Sequence, residues 1–492
     1  MYLNQLGCRM LDQEKHQRRR ASSREEKIYR KSNNGLDSSR REKRIGLSVL
    51  KPGEAEKIHE AVKKILWDVG IIIEHEKTLN SLVIDHKCRQ EENGYIKIPP
   101  ALVDEAISTI PNKIQLFDLD GNLRVDTNSN TKSYCPGANS VRILDHRTGE
   151  LRPCLLDDIR ETARLCDQLP NIDVTSTLGY PSDIPAEDEA FEATRIMFEN
   201  CKKPAIILAH DEHIQERIIS YAANLLGGMD KIADKPIVLE LMGPISPLKL
   251  PSELCERLIN SARWKIPCVC YPASFPGMSC PISIAGAIAQ SSAEAIAGII
   301  VHQLAEPGSP IMSGSAILTM DMRQADLAYG SPEYMLSNLG AAEYFTSIGI
   351  PCWIGAGCSD SHDFDAQAAS EAGSNLTVGA LASSSFVHNL GFLSGGRTGS
   401  LEMLALCDEI IGWSSRIANS FNINTDELAI DVIKNSVYDN SYLTSPHTQE
   451  RFLTENWFPS LSERSDAEAW IERGSLDMRA RVKQRIFDLL GN

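Results

Sequence analysis

The 492-residue chain lacks most of the short motifs that assign a chemistry at once. It has no CxxC pair and no paired zinc-finger spacing among its 13 cysteines, which favours reduced structural thiols in a cytoplasm. It has no HExxH motif, no phosphate-binding glycine loop with a lysine, and no GxGxxG after its first predicted strand. These absences argue against a zinc protease, a P-loop nucleotidase and a dinucleotide-dependent enzyme.

Long apolar runs and balanced charge are also missing. No apolar run reaches the roughly 18 residues of a membrane helix, so no membrane partner is expected. Residues 1–44 carry 13 Lys/Arg against 6 Asp/Glu, whereas the whole chain has a net charge of −16. The strongly acidic remainder repels phosphates, so no nucleic-acid partner is expected. We interpret residues 1–45 as a disordered basic tail, or as the product of a start codon placed too early; a polyanion-binding arm is the other interpretation.

From residue 151 onward, apolar strands alternate with amphipathic or alanine-rich helices at intervals of about 30–40 residues. Seven predicted strands, several starting at a proline, and an eighth from residues 131–144 favour a (β/α)8 TIM barrel; an open doubly wound sheet is the alternative. We expect an α/β chain with a tail (1–45), an N-terminal α+β cap segment (46–150), the barrel (151–424) and a C-terminal helical segment (425–492).

In either architecture, function gathers at the carboxyl ends of the strands. The segment "PCWIGAGCSDSHDFDAQAASE" (351–371) places Cys358, His362 and several acids on a glycine-rich turn after a buried strand. Cys358 activated by His362 would be a nucleophile. In the alternative, Asp365 caps the next helix, Cys358 fills space, and His362 alone faces the pocket.

Three other patterns are open to more than one interpretation. His210 and His213 in "HDEH" lack the further converging ligands of a zinc site, so no metal is expected. Asp183 and Asp360 lie at strand ends, but no tryptophan array of a sugar hydrolase accompanies them. Arg323, in the loop after "PIMSGSA", would bind a substrate carboxylate, or would hold the loop by a salt bridge to Asp321.

Longer motifs resemble a known family. The stretch beginning "GMSCPISIAGAIAQSSAEAIAGIIVHQLAEPGSPIMSGSAILTMDMRQADLAYGSPE", the later "GAGCSDSHDFDAQAASE" and the earlier "CPGANSVRILDHRTGE" are similar to the trimethylamine methyltransferase family, collinearly from about residue 48 onward. The resemblance implies a (β/α)8 barrel and methyl transfer from a methylamine to the Co(I) of a corrinoid carried by a partner protein. Founding members carry pyrrolysine shortly before a Ser-Asp pair, where this chain has Cys358. The chain therefore resembles the non-pyrrolysine branch, which includes glycine betaine:corrinoid methyltransferases.

A quaternary ammonium substrate needs no general acid, because it departs as a neutral amine when it loses a methyl group. Positioning by His362 and Arg323 would then suffice, without a covalent catalytic residue. We expect an aromatic cage for the cation and a polar clamp for a carboxylate. The candidate substrate-binding residues are Tyr134, Asn139, Tyr271, Phe275, Arg323, Cys358, His362, Phe364 and Phe392.

The leading prediction is a cytoplasmic, homo-oligomeric methyltransferase that demethylates glycine betaine, with proline betaine or a carnitine-type compound as other substrates. No permanently bound corrinoid is expected, because the chain lacks a DxHxxG motif. A betaine-binding protein without catalytic activity on the same barrel is the first rival, and a hydrolase using Cys358 or the acids is the second.

Overall fold

The protein is represented by a computed structural model that describes residues 45–129 and 131–491. The predicted basic tail, apart from Ile45, lies outside these residues. The described α-helices are, in chain order, α1 (Glu54–Lys64), α2 (Glu76–Ile84), α3 (Pro100–Ser108), α4 (Leu156–Gln168), α5 (Ala186–Asn200), α6 (Glu212–Leu226), α7 (Met229–Asp234), α8 (Ser252–Trp264), α9 (Ile284–Ala305), α10 (Pro332–Ser347), α11 (Ala366–Leu381), α12 (Leu401–Ala418), α13 (Thr425–Leu428), α14 (Ile430–Ser436), α15 (Pro446–Glu455), α16 (Ala467–Glu472) and α17 (Met478–Leu490).

The strands are short, and many of them follow a helix. They are β1 (Ile71–Ile73), β2 (Arg89–Gln90), β3 (Tyr95–Lys97), β4 (Gln115–Phe117), β5 (Leu123–Asp126), β6 (Ser133–Pro136), β7 (Arg142–Leu144), β8 (Leu151–Pro153), β9 (Ala205–Ile207), β10 (Val238–Met242), β11 (Lys249–Leu250), β12 (Cys268–Cys270), β13 (Ala273–Ser274), β14 (Ile311–Ser313), β15 (Ala316–Ile317), β16 (Met320–Asp321), β17 (Asp326–Leu327), β18 (Trp353–Gly355), β19 (Phe386–Leu390), β20 (Phe392–Leu393) and β21 (Thr398–Ser400).

The strands that carry the predicted β/α repeat pair in parallel. β9, β10, β12 and β14 form one parallel sheet, and β18, β19 and β6 form another. A parallel bridge from Ser313 to Cys352 links β14 to the segment before β18, and a bridge from Thr175 to Ala205 links a loop to β9. Alternating helices and parallel strands confirm a mixed α/β fold.

Prolines stand one or two residues before five of these strands. A proline has no N–H to donate, yet its carbonyl can still accept a hydrogen bond from a neighbouring strand. The Ser313 N–H, for example, donates to the Pro351 carbonyl at 3.1 Å. The five are Pro204, Pro236, Pro267, Pro310 and Pro351.

Two patterns in the sequence differ from the structure. Apolar residues recur at helical spacing over 54–73, yet the helix ends in a π-helical turn at Ile65–Val69, and Gly70, with a φ of 87°, precedes β1. The stretch 173–180 has the pattern of a strand, yet it makes isolated bridges only, at Thr175 and Gly179. Leu178 has a φ of 60°, which breaks the extended backbone there.

Helix α9 is mostly apolar and is buried around most of its surface. Its 22 residues are long and apolar enough to cross a membrane by length and composition alone, but most of them are buried. The sequence analysis expected no segment long and apolar enough to span a membrane, and by composition this expectation was wrong. Small residues such as Gly, Ser and Ala interrupt the large apolar side chains of α9 but leave its mean hydropathy high. Helices α1, α3, α8 and α10 contact α9 and cover it.

The described residues divide into two compact units. One unit comprises residues 46–410 and 479–491 and contains every described strand, and the other comprises residue 45 and residues 411–478. The antiparallel pairs β4–β5 and β7–β8 form two hairpins in the N-terminal part of the chain. The division into segments 46–150, 151–424 and 425–492 stays a prediction.

A buried lysine fixes the connection between α4 and the strands. The Lys203 ammonium donates to the carbonyls of Cys166, Leu169 and Ile172 at 2.6, 2.7 and 2.7 Å. These carbonyls lie at and beyond the C-terminal end of α4, where a helix favours a cation. The side chain is buried, so the three carbonyls have no ready access to water.

We expect Lys203→Met to lower the free energy of unfolding by about 2–4 kcal/mol, because three buried acceptors lose a charged donor. Urea denaturation measures the change. Lys202→Met is the matched control: this neighbouring lysine is exposed and pairs only with Asp120, so a loss under about 1 kcal/mol is expected. Equal losses in the two variants would contradict the role of Lys203.

Candidate functional site

Four neighbouring strands place a row of residues on one face. Cys270 pairs with Ser313, and Ser313 bridges to Cys352. Because paired residues point to the same side, the next residues along, Tyr271, Gly314 and Trp353, also share a face. Trp353 in turn pairs with Phe386 of β19, so the row continues onto that strand.

This face points away from the helices that cover the sheet. Glu240 pairs with Cys268 and is buried, accepting hydrogen bonds from Gln215 of α6 at 2.5 Å and Ser261 of α8 at 3.0 Å. Tyr271 lies three residues beyond Cys268 and therefore faces the opposite side. The row thus lies on the interior face of the parallel strands.

Three rings on this face form what we call the aromatic layer: Tyr271, Trp353 and His388. Their ring centroids are separated by 6.3 Å for Tyr271–Trp353, 5.2 Å for Tyr271–His388 and 4.6 Å for Trp353–His388. All three side chains are buried. At Gly314 a β-carbon would collide with the Trp353 carbonyl and crowd the Tyr271 ring, so glycine is required there.

Two further tyrosines lie beside the aromatic layer. Tyr329 and Tyr334 meet edge to face, with centroids 4.9 Å apart. The Asn389 amide donates to the Tyr334 hydroxyl at 3.2 Å. This hydroxyl lies directly over Gly355, where a β-carbon would overlap it.

An aspartate fixes the loop that carries Tyr329. The Asp360 carboxylate accepts hydrogen bonds from the N–H groups of Tyr329 and Gly330 at 2.7 and 2.8 Å. Glu371 supports Asp360 in turn, since its carboxylate accepts from the Asp360 N–H at 2.8 Å. The acids after Cys358 are therefore used to shape the turn.

Cys358 is fully buried beside these tyrosines. Burial raises the pKa of its thiol well above the ordinary value, and the nearby Asp360 charge raises that pKa further. Burial also raises the pKa of Tyr271, Tyr329 and Tyr334, and the charged form of Cys358 adds to the effect at all three. The thiol and the three hydroxyls are thus close together and neutral at physiological pH.

The protonation of His388 follows from its contacts. Its Nδ1 lies 2.9 Å from the Ile354 carbonyl, which only accepts, so Nδ1 carries the proton. Burial lowers the pKa of His388 to about 3. The ring is therefore neutral, and its Nε2 is a hydrogen-bond acceptor.

The other predicted aromatic residues have different surroundings, although Phe392 forms a parallel bridge to Cys358. Tyr134 pairs with Val387 and so lies on the face opposite to the neighbouring His388. Phe392 is buried with its ring against Gly137. Phe364 is buried beneath the Arg479 guanidinium, 5.6 Å from its ring centroid, and Phe275 is half-buried in the loop after β13.

The predicted clamp residues lie on exposed loops. The Arg323 side chain is 85% exposed and forms a two-pronged pair with Asp321, with Nε–Oδ1 and Nη2–Oδ2 distances of 3.0 and 2.6 Å. This pair closes the hairpin β16–β17 and lowers the pKa of Asp321 to about 2. His362 is exposed with Nδ1 3.0 Å from the Ser394 hydroxyl, and Asn139 is exposed as well.

The hairpin borders a cleft of about 550 Å³. Its lining mixes Arg323 and Asp321 with apolar side chains, among them Ile282 and Met322. Within residues 45–129 and 131–491, no group of three or more His, Cys, Asp or Glu side chains is arranged to hold a metal ion.

Sequence reasoning found Tyr271 and Cys358 but missed the residues that surround them. Trp353 lies within an apolar stretch, and Tyr329 and Tyr334 lie in a loop and at the start of a helix, where the sequence pattern does not mark them. The register itself is not visible in the sequence: Cys270 pairs with Ser313 and Ser313 bridges to Cys352, so Tyr271 and Trp353 lie at different distances from the prolines that precede their strands.

Comparisons with known proteins identify the family of the chain. The sequence model of the family described as Trimethylamine methyltransferase (MTTB) matches residues 15–492. Glycine betaine methyltransferase of Desulfitobacterium hafniense (strain Y51) is 28% identical over 447 residues, which cover 90% of this chain and 92% of that protein. Trimethylamine methyltransferase MttB of Desulfitobacterium hafniense (strain DSM 10664 / DCB-2) is 25% identical over 448 residues, covering 91% and 90%.

A solved structure shares the fold. The crystal structure of the Methanosarcina barkeri monomethylamine methyltransferase MtmB superposes with a TM-score of 0.53 at 12% identity, covering 94% of this chain and 93% of that chain. Because the family match spans nearly the whole sequence, the chain belongs to the trimethylamine methyltransferase family and is an enzyme that transfers methyl groups.

Proposed function

We propose that the enzyme moves a methyl group from a quaternary amine, with glycine betaine as the leading substrate, to a corrinoid carried by a partner protein. The observation that carries the proposal is the cluster formed by the aromatic layer with Tyr329 and Tyr334. It offers several aromatic faces and neutral hydroxyls in a buried place. Each ring that faces a cation contributes about 0.5–2 kcal/mol of attraction.

The proposal includes a closed (β/α)8 barrel. The parallel sheets and the bridges at Ser313 and Thr175 support it, and so does a hydrogen bond of 2.9 Å from the Asp173 N–H to the Tyr134 carbonyl. The aromatic layer would then lie in the barrel interior, close to Cys358, which follows the carboxyl end of β18. Barrel enzymes hold their substrates at that end of the strands.

The permanent positive charge of a quaternary amine explains why the site can work without a charged catalytic residue. A quaternary ammonium that gives up a methyl group leaves as a neutral tertiary amine, so no proton has to be delivered. The corrinoid supplies the nucleophilic cobalt that accepts the methyl group. The protein has to hold the cation, orient one methyl group outward and exclude water. Cys358, with its raised pKa, takes no covalent part.

Identity alone does not decide between amine classes, because the glycine betaine enzyme at 28% and a trimethylamine enzyme at 25% are almost equally distant. The tyrosines around Cys358 favour a quaternary substrate. This position resembles that of pyrrolysine in other family members, and here neutral aromatic groups surround it.

The corrinoid protein as partner, a homo-oligomeric state and a cytoplasmic location stay predictions that fit this function. The clamp roles of Arg323, His362 and Asn139 stay predictions as well. The betaine-binding protein without activity remains the rival, and product formation separates the two.

We expect only quaternary amines to be demethylated, since only they carry a permanent charge and a neutral leaving group. The test incubates the enzyme with reduced cobalamin and a panel of glycine betaine, proline betaine, carnitine, tetramethylammonium, trimethylamine and dimethylamine. Mass spectrometry of the demethylated amine measures turnover. Preferential turnover of trimethylamine or dimethylamine would sink the proposal, and a thermal shift with betaine without any product would favour the binding protein.

We expect Cys358→Ala to keep demethylation of glycine betaine within about threefold of wild type, because a buried neutral thiol is a poor nucleophile. Cys407→Ala is the matched control, since this thiol is also buried and contacts the Gly357 carbonyl at 3.4 Å. Both variants should lose stability by about 1 kcal/mol from the cavity. Loss of turnover in Cys358→Ala alone would support the hydrolase-like cysteine mechanism.

We expect the affinity for tetramethylammonium to be constant between pH 8 and 5.5. A histidine with its usual pKa would become cationic in this range and repel the ligand. Burial lowers the pKa of His388 to about 3, so the ring stays neutral until the pH falls far below 5.5. Calorimetry at several pH values measures the affinity, and NMR of labelled histidine follows His388. A loss of binding centred near pH 6.5 that coincides with titration of His388 would contradict this assignment.

A further inference from the structure

The aromatic layer contains two buried donors that the fold itself does not satisfy. Among the residues that the structure describes, the Tyr271 hydroxyl and the Trp353 indole nitrogen have no hydrogen-bond partner. Both side chains are more than nine-tenths buried, with 8% and 0% of their surface exposed. More than 90% of buried polar groups in folded proteins are bonded, and an unsatisfied one costs about 1–3 kcal/mol.

We infer that the Tyr271 hydroxyl and the Trp353 indole N–H together bind the carboxylate of the substrate. The inference rests on the proposed function and identifies the anion-binding half of the same site. It also defines the preferred substrate class as a quaternary amine that carries a carboxylate.

The chemistry of the two groups selects an acceptor. An indole N–H only donates, so its partner has to supply a lone pair. The rings are neighbours, 6.3 Å apart between centroids, and both lie against His388. The free His388 nitrogen is an acceptor and has no proton to offer an anion. A carboxylate has two oxygens and thus satisfies both donors, with charge-assisted bonds that are stronger than neutral ones.

The exposed arginine is a weaker candidate for this role. Arg323 lies in water and already uses both prongs on Asp321. Binding a substrate carboxylate there would break that pair, and solvent would screen the new one. His362 is likewise exposed and bonded to Ser394. A buried pair of donors gives more discrimination than either residue, because a ligand that lacks the acceptor leaves the donors unsatisfied.

The two charged ends of glycine betaine are assigned to two different parts of the site. With the carboxylate on Tyr271 and Trp353, the trimethylammonium group is left for the faces of Tyr329 and Tyr334. These rings carry no formal charge, since burial raises the pKa of both hydroxyls. One methylene separates the two ends of the substrate, so the two halves of the site have to adjoin, and Tyr329 lies close enough to Tyr271 to raise the pKa of its hydroxyl.

The test compares a ligand that has the carboxylate with one that lacks it. Calorimetry on the full-length enzyme measures the affinities for glycine betaine and tetramethylammonium. We expect Tyr271→Phe to weaken glycine betaine about tenfold and to leave tetramethylammonium within about twofold, because only a hydroxyl is lost. Trp353→Phe removes the other donor and keeps an aromatic ring. It should lower the affinity for glycine betaine relative to that for tetramethylammonium in the same way.

Two controls fix the interpretation. Tyr344→Phe makes the same change in a buried tyrosine of α10 whose hydroxyl lies 3.1 Å from His59, and both affinities should stay at the wild-type level. The double variant Arg323→Ala/His362→Ala tests the rival clamp. The inference would be overturned if Tyr271→Phe lost affinity equally for both ligands or lost none. It would also be overturned if only the double variant lost affinity for glycine betaine. If the wild-type enzyme binds neither ligand, the proposed function fails; if it binds both and the ratio does not move in Tyr271→Phe and Trp353→Phe, the inference alone fails.

Discussion

The site depends on glycines that leave room for large aromatic rings on the interior face of the strands. The rings of Trp353 and Phe386, on the neighbouring strands β18 and β19, stack on each other at this face. Gly314 makes space between Tyr271 and Trp353, and Gly355 lies directly under the Tyr334 hydroxyl. A methyl group at either position would displace a ring or a backbone carbonyl. The glycines in "SGSA" and "WIGAG" are therefore part of the binding geometry, although they contribute no chemical group.

A second constraint is the exclusion of charge from this interior. Burial keeps the thiol, the tyrosines and His388 neutral, and each of these groups would otherwise add a charge within physiological or mildly shifted pH. Asp360, the first acid after Cys358, accepts hydrogen bonds from the N–H groups of Tyr329 and Gly330. Under the proposed function, a quaternary ammonium ion would meet ring faces and neutral hydroxyls, with the Asp360 carboxylate engaged by these backbone groups. Such a site would release a product whose nitrogen has lost its permanent positive charge.

Much of the fold could be predicted from sequence because its signals are local. Prolines before strands and the alternation of apolar segments located β9, β10, β12, β14, β18 and β19. The site was harder to predict, because its geometry depends on register between distant strands. Tyr134 was expected in the cage, but its pairing with Val387 places it on the opposite face from His388. Arg323 was open to two interpretations, and the structure gives it the salt bridge to Asp321. Trp353 was overlooked because a tryptophan inside an apolar run normally signals core packing.

Helix α9 has a consequence for biosynthesis. A mostly apolar segment that leaves the ribosome before its packing partners can bind chaperones or membranes, or aggregate, until other parts of the chain cover it. Three of the helices that enclose it, α1, α3 and α8, precede it in the chain, and only α10 follows. Most of the helices that cover α9 are therefore translated before it. Its remaining apolar surface is exposed only while the few dozen codons between Ala305 and Ser347 are translated.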